Sequence, residues 1–152
     1  MATRSTIAIQ NPDGTVTGVY CHWNGYIEYN GLMLLVNYKT ESKIRNLIRY
    51  GDMSVLRSQW RIPAGKKHSF DQALPKVTIY YERDRGEDDC EPVHGDNWSD
   101  FIAKYGHEFN YLFSNGQWWV DHENERFMLA DFIKNNYTDK ELKQHIKNNK
   151  KY

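Results

Sequence analysis

The sequence predicts an α+β fold: an antiparallel sheet of about five strands built from hairpins, with helices mainly on one face. Three observations carry that expectation. Two stretches of alternating polarity are each broken by a turn signature, Asn11-Pro12-Asp13-Gly14 in one and Ser114-Asn115-Gly116 in the other. One more run, Lys76-Val77-Thr78-Ile79-Tyr80-Tyr81, has the composition of a strand. Segments of helical period lie between these runs without the regular β-α-β alternation that a parallel sheet requires.

Residues 5–10 put Ile7 and Ile9 on one face, and the return arm from Thr15 gathers β-branched and aromatic residues, which marks it as a central strand. Side chains alternate along a strand, so Val19, Cys21 and Trp23 share one face and Tyr20 and His22 the other. Cys21 and His22 therefore diverge and make no cysteine-histidine pair. After Asn24-Gly25 and Asn30-Gly31, the recurrence of Leu32, Leu35, Val36 and Tyr38 predicts a helix over 29–38. Thr40 caps a second helix with Ile44, Leu47 and Ile48 inward, Gly51 closes it, and Asp52 opens a short turn through Leu56.

Residues 57–74 have no period and carry Arg57, Arg61, Lys66, Lys67 and His68 before the first acid at Asp71, which makes a basic loop. The strand over 76–81, with Val77, Ile79 and Tyr81 on one face, runs into the charged stretch 82–91. Asn97-Trp98-Ser99-Asp100 opens a helix with Phe101, Ile102 and Tyr105 inward and Gly106 at its end. The second hairpin covers 109–121 around its Asn-Gly turn. Phe127, Leu129, Phe132 and Ile133 then predict a helix, and Thr138-Asp139-Lys140-Glu141 is a capping box for a last one. That last helix has only Leu142 and Ile146 on its apolar stripe, so it is expected to dock weakly or fray, with 147–151 disordered. The organisation expected is a single domain over 1–137 followed by a lysine-rich C-terminal helix or tail over 138–152.

A chain of 152 residues can bury one core, and with 14% aromatic residues large rings should dominate it. Basic and acidic residues balance at 20 each, which removes any whole-molecule electrostatic argument for nucleic acid or membrane. A nucleic-acid partner would need a local basic patch. Two cysteines, Cys21 and Cys90, form neither a zinc spacing nor a disulfide framework, so a reducing compartment is expected. No stretch of eighteen apolar residues or signal-peptide run occurs, and no membrane partner is expected.

No phosphate-binding glycine loop, zinc-protease motif, nucleophile elbow or paired His-x-Ser/Thr motif is present. The six histidines show no ligand spacing. No metal, no cofactor and no catalytic residue is therefore assigned, and an enzyme is the less favoured reading. The constellation that could carry a function combines Tyr20, His22 and Trp23 with Lys66, Lys67 and His68 of the basic loop and with Arg83 and Arg85. On a strand, arginines at i and i+2 share a face, their planar forks match phosphate or carboxylate, and nearby rings can stack a base. The competing reading is that Arg83 and Arg85 neutralise Asp84, Glu87 and Asp88 in their own loop. Six lysines from Lys134 onward face only Asp139 and Glu141 within their own segment.

Arg4-Ser5-Thr6-Ile7-Ala8, Asp13-Gly14-Thr15-Val16-Thr17-Gly18 and Tyr20-Cys21-His22-Trp23-Asn24-Gly25-Tyr26 together resemble a family of small proteins of tailed phages and prophages. The likeness continues through Asn30-Gly31, Leu47-Ile48, Gly51-Asp52, Ser54, His68-Ser69-Phe70, Arg83-Asp84-Arg85-Gly86 and Tyr111-Leu112-Phe113, covering about 3–120. The lysine-rich end lies outside it. The resemblance carries over no catalytic residue. It implies a viral accessory protein in the cytoplasm of an infected host cell, acting by binding: it would block a host defence factor or sequester an anionic, nucleotide-type ligand. The partner would be a host protein or an anionic small molecule, with the oligomeric state left open. The alternatives are a small phosphoester or nucleotide hydrolase using His22 or His68 with Arg83 or Arg85, and a virion or assembly component.

Overall fold

The computed structural model describes residues 2–152. Its eight strands are β1 (Ser5–Gln10), β2 (Val16–Cys21), β3 (Met53–Val55), β4 (Ile79–Tyr80), β5 (Val93–Gly95), β6 (Phe109–Ser114), β7 (Gln117–His122) and β8 (Glu125–Met128). A π-helical turn (Ile27–Gly31) leads into α1 (Leu32–Asn37). It is followed by α2 (Glu41–Arg49), α3 (Tyr81–Arg85), α4 (Trp98–Tyr105), α5 (Leu129–Asn136) and α6 (Asp139–Asn149). One sheet runs β4-β3-β2-β1-β6-β7-β8, and β5 lies along β2 beside β3.

Both expected hairpins form. In the first, Thr15 donates its N–H and its hydroxyl to the Asp13 carboxylate, and the register runs from Ser5 opposite Cys21 to Gln10 opposite Val16. The expected antiparallel, five-stranded sheet does not form. β1 pairs in parallel with β6, Ser5 opposite Phe109 through Ile9 opposite Phe113, and β2 pairs in parallel with β3. Each hairpin is antiparallel within itself, but the long connection carrying α1 to α4 brings the second one back beside the first in the same direction. Alternation fixes which face a side chain takes and says nothing of strand direction. The extra strands, β3, β5 and β8, are three or four residues long, too short to show a period.

Two of the short strands depart from other expectations. Residues 53–55 are β3 and not a turn, because they extend the pairing beyond Cys21. The run expected as a strand over 76–81 is strand only at Ile79–Tyr80, and Tyr81 begins α3.

The sheet separates two cores. On one face Ile7, Ile9, Val19, Cys21, Tyr111 and Val120 pack with Leu34 of α1, Ile44 and Leu47 of α2, and Leu129 and Ile133 of α5. On the other, Ala8, Val16 and Leu112 pack under Trp98 and Phe101 of α4. Gly18 permits this second layer: a Cβ there would stand 2.6 Å from Phe101 Cζ and 2.8 Å from Ala8 Cβ. Asn97 accepts from Asp100 N–H to cap α4, and Thr40 accepts from Lys43 N–H to cap α2, as their sequences imply.

The C-terminal segment is docked and helical. Leu142, Ile146 and Tyr152 pack against the larger core. Asn149 donates to the Glu28 carbonyl, and Ser58 donates both its N–H and its hydroxyl to the Tyr152 carbonyl oxygen. The capping box at Thr138 and Glu141 closes the start of α6. Expected fraying at 147–151 is thus replaced by a last turn held at both ends of its docking stripe. No helix among the described residues is long and apolar enough to cross a membrane.

Candidate functional site

Alternation along β2 sends Cys21 into the core and leaves Tyr20 and His22 on the opposite face, beyond the part that α4 covers. The register that sets Thr6 opposite Tyr20 extends to bring Arg4 alongside His22. On the other side, β2 meets β5 at 16–18 and β3 at Cys21, and the Tyr20 N–H between them is taken by the Asp52 carboxylate at 2.9 Å. Burial raises the Asp52 carboxyl above its ordinary range, so the group is held in a partly desolvated place.

Around the half-buried Tyr20 the groups close in. Its hydroxyl shares a 2.5 Å hydrogen bond with His22 Nδ1, and its ring lies 4.8 Å from that of His107, at the foot of β6. His22 meets Trp23 edge-on at 4.7 Å, and Trp23 is exposed. Burial raises the Tyr20 phenol, and the Arg4 guanidinium at its hydroxyl opposes the shift. A guanidinium only donates, so toward Arg4 the phenol oxygen is the acceptor. Burial, and secondly the Arg4 charge, lowers His107 below the ordinary histidine value of 6.5, so it is a neutral ring at pH 7.

The strip continues across β3 and β4. Tyr81 follows Tyr80, donates its N–H to the Asp52 carbonyl, and is raised by burial, with Tyr20 among its charged-state neighbours. Phe70 lies 5.7 Å from Tyr81, and the Arg85 guanidinium sits 4.0 Å over Phe70 and 5.3 Å over Tyr81 while pairing with Glu87. Tyr20, His22, Trp23 and Arg85 of the sequence-derived constellation thus belong to one aromatic and cationic strip. Lys66 and Lys67 are exposed on the loop that delivers Phe70 to it.

His68 and Arg83 are elsewhere. His68 has no accessible side-chain surface: its Nδ1 accepts from Leu74 N–H and its Nε2–H donates to Asp84, which fixes a neutral tautomer. Asp84 also accepts from Tyr80 N–H and from Arg83 through Nε and an Nη. Arg83 spends its other donors on the Trp60 and Thr78 carbonyls and stacks on Tyr80. The shared strand face expected for Arg83 and Arg85 is absent because both lie on α3, where residues two apart point about 200° apart. Arg83 faces inward and Arg85 outward. His22 and His68 share no cavity, one ring standing on the strip and the other sealed in this network.

Arg4, His107, Tyr81 and Phe70 were not singled out by the sequence. Arg4 was reachable, since the hairpin turn fixes the register that puts it beside His22; the other three arrive through long-range pairing. His107 also borders a hollow of about 650 Å³ lined by Asn110, Asp121, His122, Glu123 and Arg126. There His122 stacks on Phe109 at 3.9 Å and donates Nδ1–H to the Glu108 carbonyl. Among the described residues no three His, Cys, Asp or Glu side chains group in a way that would hold a metal ion. No family model, curated protein or solved structure matches this chain.

Proposed function

We propose that this is a phage accessory protein that acts by binding, and that the strip centred on Tyr20 takes an anionic, nucleotide-type ligand in the cytoplasm of the infected cell. In that role it sequesters a small signal or occludes the matching surface of a host defence factor. The observation that carries the reading is the convergence of Arg4, His22 and His107 on the Tyr20 ring, on a sheet face outside the cover of α4. Rings there offer stacking area, Arg4 and Arg85 offer charge to phosphate, and Lys66 and Lys67 add mobile point charges at the approach. The resemblance over residues 3–120 supports the phage origin; Arg4, Tyr20, His22, Phe70 and Arg85 all lie within the resembling segments.

Titration calorimetry and thermal shift against mono-, di- and cyclic nucleotides and pyrophosphate test it. Saturable binding is expected, with Arg4→Ala and Arg85→Ala each weakening it about tenfold, the loss of one charge-assisted contact of about 1.4 kcal/mol. Failure of every compound to move the unfolding midpoint at millimolar concentration would remove the small-ligand reading.

A further inference from the structure

Beside its docked stripe, α6 carries a row of lysines. At 100° per residue, Lys140, Lys143, Lys147 and, just past the end of the helix, Lys150 fall within an arc of about 80° over about 15 Å of axis, and Lys151 follows them. The residues facing the body, Leu142, Ile146 and Asn149, occupy the neighbouring arc, with Ile146 about 40° from Lys150. All five lysines are exposed. None takes part in an ion pair: those among the described residues use only arginine and histidine. Of the two carboxylates of the helix, Glu141 is committed to the Thr138 N–H in the capping box, and Asp139, four residues before Lys143, borders the arc without an ion pair. Lys150 keeps helical dihedrals and continues the row, and Lys76, from the connection before β4, lines the same hollow as Lys150.

We propose that this row binds the phosphate backbone of nucleic acid without regard to base sequence. None of the lysines is ion-paired, and they are presented on a helix fixed by its cap, by the Asn149 contact to Glu28 and by the Tyr152 contact to Ser58 just beyond it. They recur about once per 5.4 Å turn, matching a partner that itself repeats its charge along a line. A membrane surface is disfavoured, because the one apolar stripe of α6 is already packed on the protein and the arc holds no aromatic or aliphatic side chain to insert. A compact protein partner would want such a side chain as an anchor as well. Along one flank of the row stand instead Gln144 and Asn148, hydrogen-bonded to each other, amides of the kind that bond phosphate and sugar oxygens. The row is independent of the Tyr20 strip, which lies on the opposite face of the sheet.

Fluorescence anisotropy of the full chain with labelled duplexes of unrelated sequence, between 50 and 200 mM salt, tests the proposal (about the range over which such binding collapses). Binding is expected with a log–log salt slope of about −3 to −4, since each phosphate contact contributes about −0.9. The variant Lys143→Glu/Lys147→Glu/Lys151→Glu should abolish it while its thermal midpoint stays near that of the parent, and Arg4→Ala should leave it intact. Absence of binding at the lowest salt, or binding undisturbed by the triple variant, would overturn the proposal. Poly-glutamate or phosphatidylserine vesicles competing as well as DNA at equal charge would also overturn it, by assigning the row to acidic proteins or to lipid.

Discussion

Asp84 shows how one buried side chain can remove two candidates from a functional surface. Its carboxylate takes hydrogens from His68, Arg83 and the Tyr80 backbone at once, so the charge is compensated and the donors that would have served a ligand are used up. Asp84→Ala leaves His68 Nε2–H without its acceptor in a place water does not reach and removes the carboxylate that pairs with Arg83. Chemical denaturation should show a loss of about 3–5 kcal/mol, the usual result of breaking one side of a buried pair. His107 gives a pH dependence of the opposite kind. Its folded value lies below the ordinary 6.5, so the folded state binds fewer protons than the unfolded one as the medium is acidified. Its contribution is complete above about 6.5 and is lost as pH falls through that value toward the folded one. Denaturation midpoints from pH 8 to pH 5 should fall for the parent more than for His107→Gln; parallel curves would show that His107 is not the group responsible.

At the scale of elements, the second layer of the fold depends on a missing side chain. Phe101 reaches the sheet only because Gly18 has no Cβ, so the seating of α4 rests on that gap. Gly18→Val should push α4 off the sheet, with a destabilisation of at least about 1–3 kcal/mol from overpacking. A change in tryptophan emission should accompany it, since the Trp98 indole N–H donates to Asp121. Helix caps, by contrast, were legible: Thr40, Asn97 and Thr138 each do what their local sequence implies, because a cap is decided within four residues. The helix at 81–85 was not legible. Tyr80-Tyr81 has strand composition, and only the pairing of β4 with β3 and the turn of the chain at Asp84 decide where extension stops.

For the molecule as a whole, the sheet divides the two proposed surfaces, with the Tyr20 strip on one side and α6 on the side of the larger core. The sequence by itself determined both hairpins, the capped helices, and the opposite facing of Cys21 and His22. All of these follow from turn chemistry and side-chain period acting over a few residues. It also contained the lysine row, as a spacing of three and four. Tertiary structure alone decided that the hairpins join in parallel, that four very short strands complete the sheet, and that the last helix stays docked. It decided as well that Arg85 reaches the strip while Arg83 and His68 are taken up in the network around Asp84. The physical reason is common to these: strand direction, the pairing of very short strands and the burial of a charge depend on partners far away in the chain, and local period carries no information about which partner arrives.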